Sequence, residues 1–342
     1  MSRISHALIP LAAALLVACA PPATTSPNAV QVPDCTGRVT SFDQPARKIV
    51  TSNAAGLEIL LWLGAQDLVI GTGFPPGKGE LPAQFSAERI PSLGGDASGG
   101  SMLGISREQL LGSGADTYVE AWGALAGMDD VATPEQLAQV GIRKFLLRST
   151  ACAAAMNGPQ TDLTVLEGDI TRLGAITGRL RQAEQVIAGM NTTLAEVGKA
   201  VKDVPEAERP TVFFFDFDAG TDAPTTPCNR QVANAVYTLA GARNAFADCD
   251  GDFTKTGWEE VVKRDPDWIQ LGIRNRGDAA ADQRAFAEAE TFLSTFAATR
   301  DLKAVKARRF LRIRSEVTTT GGVRNADTVR QIAAALYPDR VR

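Results

Sequence analysis

Apolar and polar residues alternate along this chain in short segments of two kinds. Runs rich in β-branched and aromatic residues predict strands, and runs with an apolar residue every three or four positions predict helices. The first half has strand patterns at 47–52, 68–73, 117–121 and 143–147, and helix patterns at 57–64, 106–111 and 133–140. The second half has strand patterns at 211–217, 268–272 and 308–313, and helix patterns at 230–241, 285–296 and 326–337. Such alternation predicts, in each half, a mostly parallel sheet covered by helices.

The longest helical pattern lies between the halves. Residues 163–202 contain no proline and carry apolar residues at helical spacing, which predicts one helix about 55–60 Å long. The expected fold class is therefore α/β, with two lobes, each a mostly parallel sheet flanked by helices, joined by one long rigid α-helix. The expected boundaries are 35–160 for the N-terminal α/β lobe, 161–204 for the connecting helix and 205–342 for the C-terminal α/β lobe.

The first residues have the pattern of a lipoprotein signal peptide at 1–18. Arg3 precedes a short apolar run that ends in the letters LVAC, which resembles the lipobox of bacterial lipoproteins. We expect Cys19 to carry the lipid, and 19–34, rich in Pro, Ala, Thr and Ser, to form a flexible tether. The protein would then be lipid-anchored at the extracytoplasmic face of the cell membrane, at the cell surface or in the periplasm. The alternative is an ordinary signal peptide with a cysteine nearby.

Charge and cysteine content narrow the partners and the compartment. The net charge is −4, and loss of residues 1–18 removes Arg3 and no acid, so the mature charge is −5. This balance argues against nucleic acid as a partner and against electrostatic binding to anionic lipid. Four cysteines would remain beside Cys19, and they allow three disulfide connectivities. We favour Cys35–Cys152 and Cys228–Cys249, one in each half, over four buried free thiols.

A sequence block occurs twice. Residues 108–121 read EQLLGSGADTYVEA and residues 259–272 read EEVVKRDPDWIQLG. In each block a Glu opens a helical run and an Asp, eight residues later, precedes a strand. The acids are Glu108 with Asp116 and Glu259 with Asp267, so two similar lobes would present acidic residues at equivalent places.

Several segments, taken in order, resemble a known family. RKIVTSNAAGLEILLWLGAQDLVIGTG, the two repeated blocks, LGAITGRLRQAEQVI, LAGARNAFAD and LKAVKARRFLRI are similar to the class III, helical-backbone periplasmic binding proteins. These serve ABC importers of ferric siderophores, cobalamin and haem. The resemblance implies a ligand cleft between two lobes and delivery of the ligand to an ABC permease in the membrane.

The resemblance also implies a docking role for two acids. In that family one Glu on each lobe pairs with arginines of the permease, and the matching positions are Glu108 and Glu259. The simpler interpretation is that both acids only favour the N-termini of their helices. Glu260 could also replace Glu259.

Ligand-binding residues are expected in loops at the carboxyl ends of the strands. The candidates are Asn53, Phe74, Trp122, Arg148, Asp216, Phe217, Arg274, Arg276, Arg314 and Glu316, with Trp258 at the cleft rim. Aromatic rings would stack on a planar or apolar ligand, and arginines would grip anionic oxygens. The alternatives are core packing for the aromatic residues and a solvated, neutralised loop for the arginines.

The lack of histidine in the expected mature chain narrows the range of possible ligands. The only histidine, His6, lies in the expected signal peptide, so the mature chain offers no imidazole to a bare metal ion or to haem. A ferric siderophore is the expected ligand, and cobalamin, or haem held without histidine, is the alternative. We expect a monomer with no cofactor, no resident metal and no catalytic residue.

Two other classes of function stay open. An enzyme would need the neighbouring acids Asp216 and Asp218 to act as a carboxylate pair, because no GxSxG or P-loop pattern occurs. A binding lipoprotein with no transport partner is the other class.

Overall fold

The structure, a computed structural model, describes residues 29–73, 81–85, 89–94, 105–121 and 131–341. The expected lipidation site, Cys19, and two candidate ligand residues, Phe74 and Trp122, lie outside these ranges. Within the described ranges, no helix is both long and apolar enough to cross a membrane.

The N lobe is built on a parallel sheet of four strands, in the order β4-β3-β5-β6. The strands of the lobe are β1 Val30–Pro33, β2 Val39–Phe42, β3 Ile49–Thr51, β4 Val69–Thr72, β5 Thr117–Glu120 and β6 Arg143–Leu146. Its helices are α1 Ala54–Trp62, α2 Arg107–Gly112, α3 Pro134–Gln139, α4 Arg148–Ala151 and α5 Thr164–Ile176. Strands β1 and β2 form a separate antiparallel pair.

Both faces of the N-lobe sheet are covered, as the strand–helix alternation predicts. Successive strand residues point to opposite faces, so Val119 belongs to the core under α1 and α5. Its neighbour Tyr118 belongs to the core under α2 and α3. Ser106 forms a capping box with Gln109 at the start of α2.

The C lobe repeats this plan with the parallel order β12-β11-β7-β9. Its strands are β7 Thr211–Asp216, β8 Thr225–Pro227, β9 Arg243–Asn244, β10 Phe253–Lys255, β11 Trp268–Gly272 and β12 Phe310–Leu311. Its helices are α7 Val232–Leu239, α8 Trp258–Arg264, α9 Ala279–Thr295, α10 Lys303–Lys306, α11 Glu316–Thr319 and α12 Asn325–Leu336. On β7, Phe214 packs under α7 and α12, while Phe213 and Phe215 pack under α8 and α9.

The connector between the lobes differs from the prediction. The expected single helix is two helices, α5 and α6 (Leu180–Val201), because the chain turns at Gly178 with φ +70°. The two helices pack closely: a Cβ on Gly174 would lie 2.6 Å from the Cβ of Ala183. Helix α6 alone, 22 residues and about 33 Å long, is shared between the lobes. Its first half, through Met190, packs in the N-lobe core, and its last turns, through Val201, pack in the C-lobe core.

The four cysteines form the two disulfides that the sequence favours. Cys35 bonds to Cys152 across 117 residues, and Cys228 bonds to Cys249 across 21 residues. One bridge lies in each lobe.

The repeated block folds in the same way in both lobes. Asp116, just before β5, accepts a hydrogen bond from the backbone N–H of Arg47 at 2.9 Å, ahead of the neighbouring strand β3. Asp267, just before β11, accepts one from the N–H of Thr211 at 2.7 Å, at the start of the neighbouring strand β7. Each Asp therefore fixes where an adjacent parallel strand begins, which gives half of the repeat a structural role.

Candidate ligand-binding cleft

An ion pair joins the two lobes. Glu58 of α1 and Arg324, just before α12, meet with 2.7 Å between Oε2 and Nη2, and Arg324 Nε lies 3.1 Å from both carboxylate oxygens. The side chains are only 8% and 16% exposed. Sequence reasoning missed this pair, although a single acid inside the apolar run 57–64 signals a buried partner.

Two glycines allow the backbone of the C lobe to approach the N lobe closely at this point. A Cβ on Gly321 would lie 2.4 Å from the Oγ of Ser149, so a larger residue would push the lobes apart. A Cβ on Gly322 would lie 3.3 Å from Oε1 of Glu58. The segment before α12 therefore rests directly on α1 and α4.

A second set of hydrogen bonds also joins the lobes. Arg230 Nη1 donates to the carbonyl oxygen of Ala154 at 3.1 Å. The N–H of Gln160 donates to the carbonyl of Asn229 at 2.8 Å, and Asn234 Nδ2 donates to the carbonyl of Gln160 at 2.8 Å. The lobes thus touch at two polar junctions as well as along α6.

The candidate residues of the C lobe come together at the carboxyl edge of its sheet. Arg274 follows β11 and meets Asp216, the last residue of β7, through two hydrogen bonds of 2.7 and 3.1 Å. Its Nη1 also donates to Ser315 Oγ at 3.0 Å. Burial alone would lower the pKa of Arg274, yet the hydrogen bonds and charge of Asp216 raise it above its ordinary value.

The other two candidate arginines are also paired. Arg276 forms an ion pair with Asp218, and its backbone N–H donates to Asp282 at 2.8 Å. Arg314 Nη1 lies 3.0 Å from Asn275 Oδ1 and 3.6 Å from a carboxylate oxygen of Asp282. The candidate arginines of the C lobe therefore lie among acidic residues, in an array that contains both charges.

Glu316 completes this array. Its Oε1 accepts the backbone N–H of Asn275 at 2.7 Å, whereas its Oε2 is buried and has no hydrogen-bond partner within the described ranges. A pocket of about 450 Å³, lined in part by Asn275, Arg314 and Arg324, opens alongside. We name as the C-lobe ionic network the residues Asp216, Asp218, Arg274, Arg276, Asp282, Arg314 and Glu316.

Trp258 is not a cleft residue. Its side chain belongs to the C-lobe core at 5% exposure, and its Nε1 donates to the carbonyl of Thr221 at 2.8 Å. Its ring contacts Phe215 and Phe292, with centroids 5.3 and 5.8 Å apart. The expectation of a place at the rim is wrong because α8 turns its first residue onto the aromatic face of β7.

Three further candidates have structural contacts in this conformation. Asn53 caps α1 by accepting from the N–H of Ala55 at 3.0 Å. Phe217 packs against Phe215 with centroids 5.8 Å apart. Arg148 lines a different pocket, of about 590 Å³, beside the first disulfide.

The proposed docking acids occupy equivalent positions. Glu108 is the second residue of α2 and Glu259 the second residue of α8, and both are exposed. Hydrogen bonds from the backbone N–H of Glu108 and from Ser106 lower the pKa of Glu108, which keeps it ionised. Glu260, the alternative, is held by Arg264 at 3.0 Å. In the part of the chain that the structure describes, neither Glu108 nor Glu259 forms an ion pair.

The acids of the cleft bear on two other kinds of chemistry, catalysis by a carboxylate pair and metal binding. Asp216 and Asp218, the candidate carboxylate pair, each face an arginine rather than each other. No group of three or more Cys, His, Asp or Glu side chains among the described residues is arranged to hold a metal ion.

Comparison with known proteins identifies the family. The family model described as "Periplasmic binding protein" matches residues 124–317, more than half of the chain. The chain belongs to the periplasmic binding protein family.

Two relatives of this periplasmic binding protein differ in how much of them it covers. An uncharacterized ABC transporter substrate-binding lipoprotein, YvrC of Bacillus subtilis, is 22% identical over 343 residues, covering 96% of this chain and 95% of its own. A cobalamin-binding protein of Halobacterium salinarum is 24% identical over 257 residues, covering 74% of this chain. The chain spans only 61% of the length of that relative.

Solved structures of similar fold support the architecture. A periplasmic binding protein from Veillonella parvula matches 92% of this chain and 99% of its own, with a TM-score of 0.76 and 22% identity. A structure described as an ABC-type Fe³⁺-hydroxamate transport system from Saccharomonospora viridis covers 89% of this chain and 98% of its own, with a TM-score of 0.69 and 24% identity. A periplasmic heme-binding protein, RhuT from Roseiflexus, covers 86% of this chain and 98% of its own, with a TM-score of 0.61 and 17% identity. These likenesses establish the two-lobed α/β fold.

Proposed function

We propose that this protein is the substrate-binding component of an ABC importer and that it carries an iron chelate, most simply a ferric siderophore, between its lobes. The observation that carries the proposal is the gathering of the C-lobe ionic network at the carboxyl edge of a parallel sheet. It lies beside a pocket of about 450 Å³ that Arg314 and Arg324 line, and Arg324 is also the residue that pairs with Glu58 of the other lobe. Ligands of open α/β sheets bind at this edge. The near full-length similarity to a substrate-binding lipoprotein of an ABC transporter supports the proposed role in an importer.

Cobalamin is the second candidate, because a cobalamin-binding protein matches 74% of the chain. Haem is the third, because one protein of similar fold is described as heme-binding. We propose the C-lobe ionic network as one wall of the cleft, and we keep Asn53, Phe74 and Trp122 as proposed ligand contacts of the N lobe. Arg148 was also a candidate, but it lines the pocket beside the first disulfide. Phe217 would lie at the edge of the C-lobe wall.

We place the protein outside the cytoplasm, held to the membrane by lipid on Cys19. Because β1 (Val30–Pro33) already belongs to the N lobe, the proposed tether would end before it rather than at residue 34. The tether would let the two lobes reach a permease in the same membrane. Labelling of the expressed protein with a radioactive fatty acid tests this, with Cys19→Ser as the control; label on the variant would contradict the anchor.

Docking on the permease is assigned to Glu108 and Glu259. Exposed carboxylates without intramolecular ion pairs suit this role, because they set orientation and association rate against a basic surface. Reversing both charges, Glu108→Lys with Glu259→Lys, should abolish ligand uptake by cells while ligand affinity stays unchanged. Glu135→Lys, at another helix start, is the matched control. Normal uptake by the double variant would refute the assignment.

Ligand binding itself is tested by quenching of tryptophan fluorescence. The full chain would be titrated with a ferric trihydroxamate, a ferric tris-catecholate, cyanocobalamin and hemin. Saturable quenching by one of them at micromolar concentration or below is expected, and failure of all four would contradict the proposed function.

A further inference from the structure

The arginines at the C-lobe edge are not free to receive an anion. Arg274 is held by both oxygens of Asp216, and Arg276 is held by Asp218. Arg314 is held by Asn275 and lies within ion-pair distance of Asp282. Every guanidinium in the C-lobe ionic network therefore has an acidic or amide partner already in place.

Formal charges show that the network has an excess of acid. It contains three arginines against three aspartates and Glu316, so its net charge is −1. The next two arginines along the wall do not change this balance, because Arg312 pairs with Glu290 at 2.6 Å and Arg324 pairs with Glu58 at 2.7 Å.

An anionic ligand could replace the two-oxygen contact of Arg274 only by displacing Asp216 from it. Asp216 is 6% exposed, and removing Arg274 from it would leave a buried carboxylate without its counter-charge. Such a loss is strongly unfavourable. An anion would therefore gain little from the network as it stands.

The network does offer hydrogen-bonding groups of both kinds. The side chains of Arg274 and Arg276 are 39% and 38% exposed, so part of each guanidinium edge can donate to a neutral oxygen. Among the described residues, Glu316 Oε2 is a buried acceptor with no hydrogen-bond partner. Buried acceptors are normally satisfied, and an N–H, O–H or ammonium group of a ligand would satisfy this one once the side chains that cover it move aside.

We infer that the ligand of this cleft is a neutral or positively charged chelate that brings its own hydrogen-bond donors, and that anionic chelates are selected against. This inference rests on the proposed function and names the charge class of its ligand. It replaces the expectation, drawn from the arginines alone, that they would grip anionic oxygens of the ligand.

The test uses ligands that differ only in charge. One linear ferric trihydroxamate is prepared in three forms, with its terminal amine free (+1), acetylated (0) or succinylated (−1). Cobalamin supplies a second series: aquacobalamin (+1), cyanocobalamin (0) and a cyanocobalamin monocarboxylate (−1). A ferric tris-catecholate (−3) is included as a strong anion. Each is titrated against the full chain at pH 7.5 and low ionic strength.

Within whichever series binds, the cationic and neutral forms should bind at least tenfold more tightly than the anionic form. Glu316→Gln and Asp218→Asn should each reduce this preference several-fold. Asp248→Asn, which removes an acid paired with Arg264 outside the network, should leave it unchanged. Thermal unfolding of each variant establishes that it is folded. If Asp218→Asn does not fold, the binding preference of Glu316→Gln still tests the network.

The outcomes separate the two proposals. Equal or tighter binding of an anionic form, or binding of the tris-catecholate alone, overturns the charge inference and leaves the transport function standing. A charge preference that Glu316→Gln and Asp218→Asn both leave intact overturns the assignment to the network. Failure of every chelate and cobalamin to bind contradicts the proposed function and the inference together.

Discussion

The ion pair between Glu58 and Arg324 should contribute more to stability than any exposed pair of this protein. Glu58→Gln keeps the shape of the side chain but leaves the Arg324 guanidinium, 16% exposed, without its counter-charge. Breaking one side of a buried pair typically costs 3–5 kcal/mol. Because Arg324 keeps some contact with water, we expect a loss of about 3 kcal/mol in the free energy of unfolding.

Urea denaturation at pH 7.5, followed by circular dichroism, measures this loss. The matched control is Glu135→Gln, because Glu135 pairs with Arg38 at the same 2.7 Å but with side chains 65% and 52% exposed. Solvent-exposed pairs contribute little, so this control should show no measurable change.

A double-mutant cycle isolates the pair from other effects of the substitutions. Glu58→Gln combined with Arg324→Met should be less destabilised than the sum of the single variants, with a coupling energy of about 2 kcal/mol. If Glu58→Gln is as mild as Glu135→Gln, or if the coupling energy is zero, the pair does not hold the lobes together and the reasoning fails.

Three further predictions concern the sheets and the loops of the C lobe. Asp267→Asn should lower the free energy of unfolding at pH 7 by about 2 kcal/mol, because two charge-assisted hydrogen bonds from Thr211 weaken. Burial raises the pKa of Asp267, but the opposite effect of its hydrogen bonds is larger, so the pKa lies below its ordinary value. The stability that the wild type has over Asp267→Asn should therefore decline as urea denaturation is repeated from pH 5 towards pH 3; a constant difference would contradict this. Asp252 behaves oppositely: burial raises its pKa to about 7, so its ionisation opposes folding as the pH rises from 4 to 8. Asp252→Asn should therefore raise the melting temperature at pH 8 and not at pH 4. Equal effects at both pH values would show that Asp252 does not have a raised pKa. Replacing Cys228 and Cys249 by alanine should cost about 3 kcal/mol, the chain-entropy value for a loop closed across 21 residues, as measured by urea denaturation; an unchanged midpoint would show that the bridge adds no stability.

Local sequence patterns predicted most elements because they report directly on burial. The strand at 211–217 is β7 with the end moved by one residue, and the helix at 326–337 is α12 shifted by one. The single connector failed for a physical reason. Helical spacing continues across a tight turn when both helices bury apolar faces, and Gly178 gave the only signal of the break.

The candidate site was less accessible from sequence, because its chemistry depends on pairs that lie far apart in the chain. Arg274 and Asp216 are 58 residues apart, and Arg324 and Glu58 are 266 apart. The end of a strand indicates that a side chain can reach the cleft, but it does not indicate which acidic residue will pair with that side chain. Trp258 was misplaced for a similar reason, since nothing local indicates which side of a helix faces the aromatic core.

Helix α6 has a consequence for how the whole protein melts. Its early turns are packed among N-lobe residues and its last turns among C-lobe residues, so neither core is complete without it. Losing one lobe would strip half of this helix of its packing and weaken the other lobe as well. Despite its two separate parallel sheets, the protein should therefore absorb heat in one cooperative calorimetric transition, with no stable half-unfolded species between.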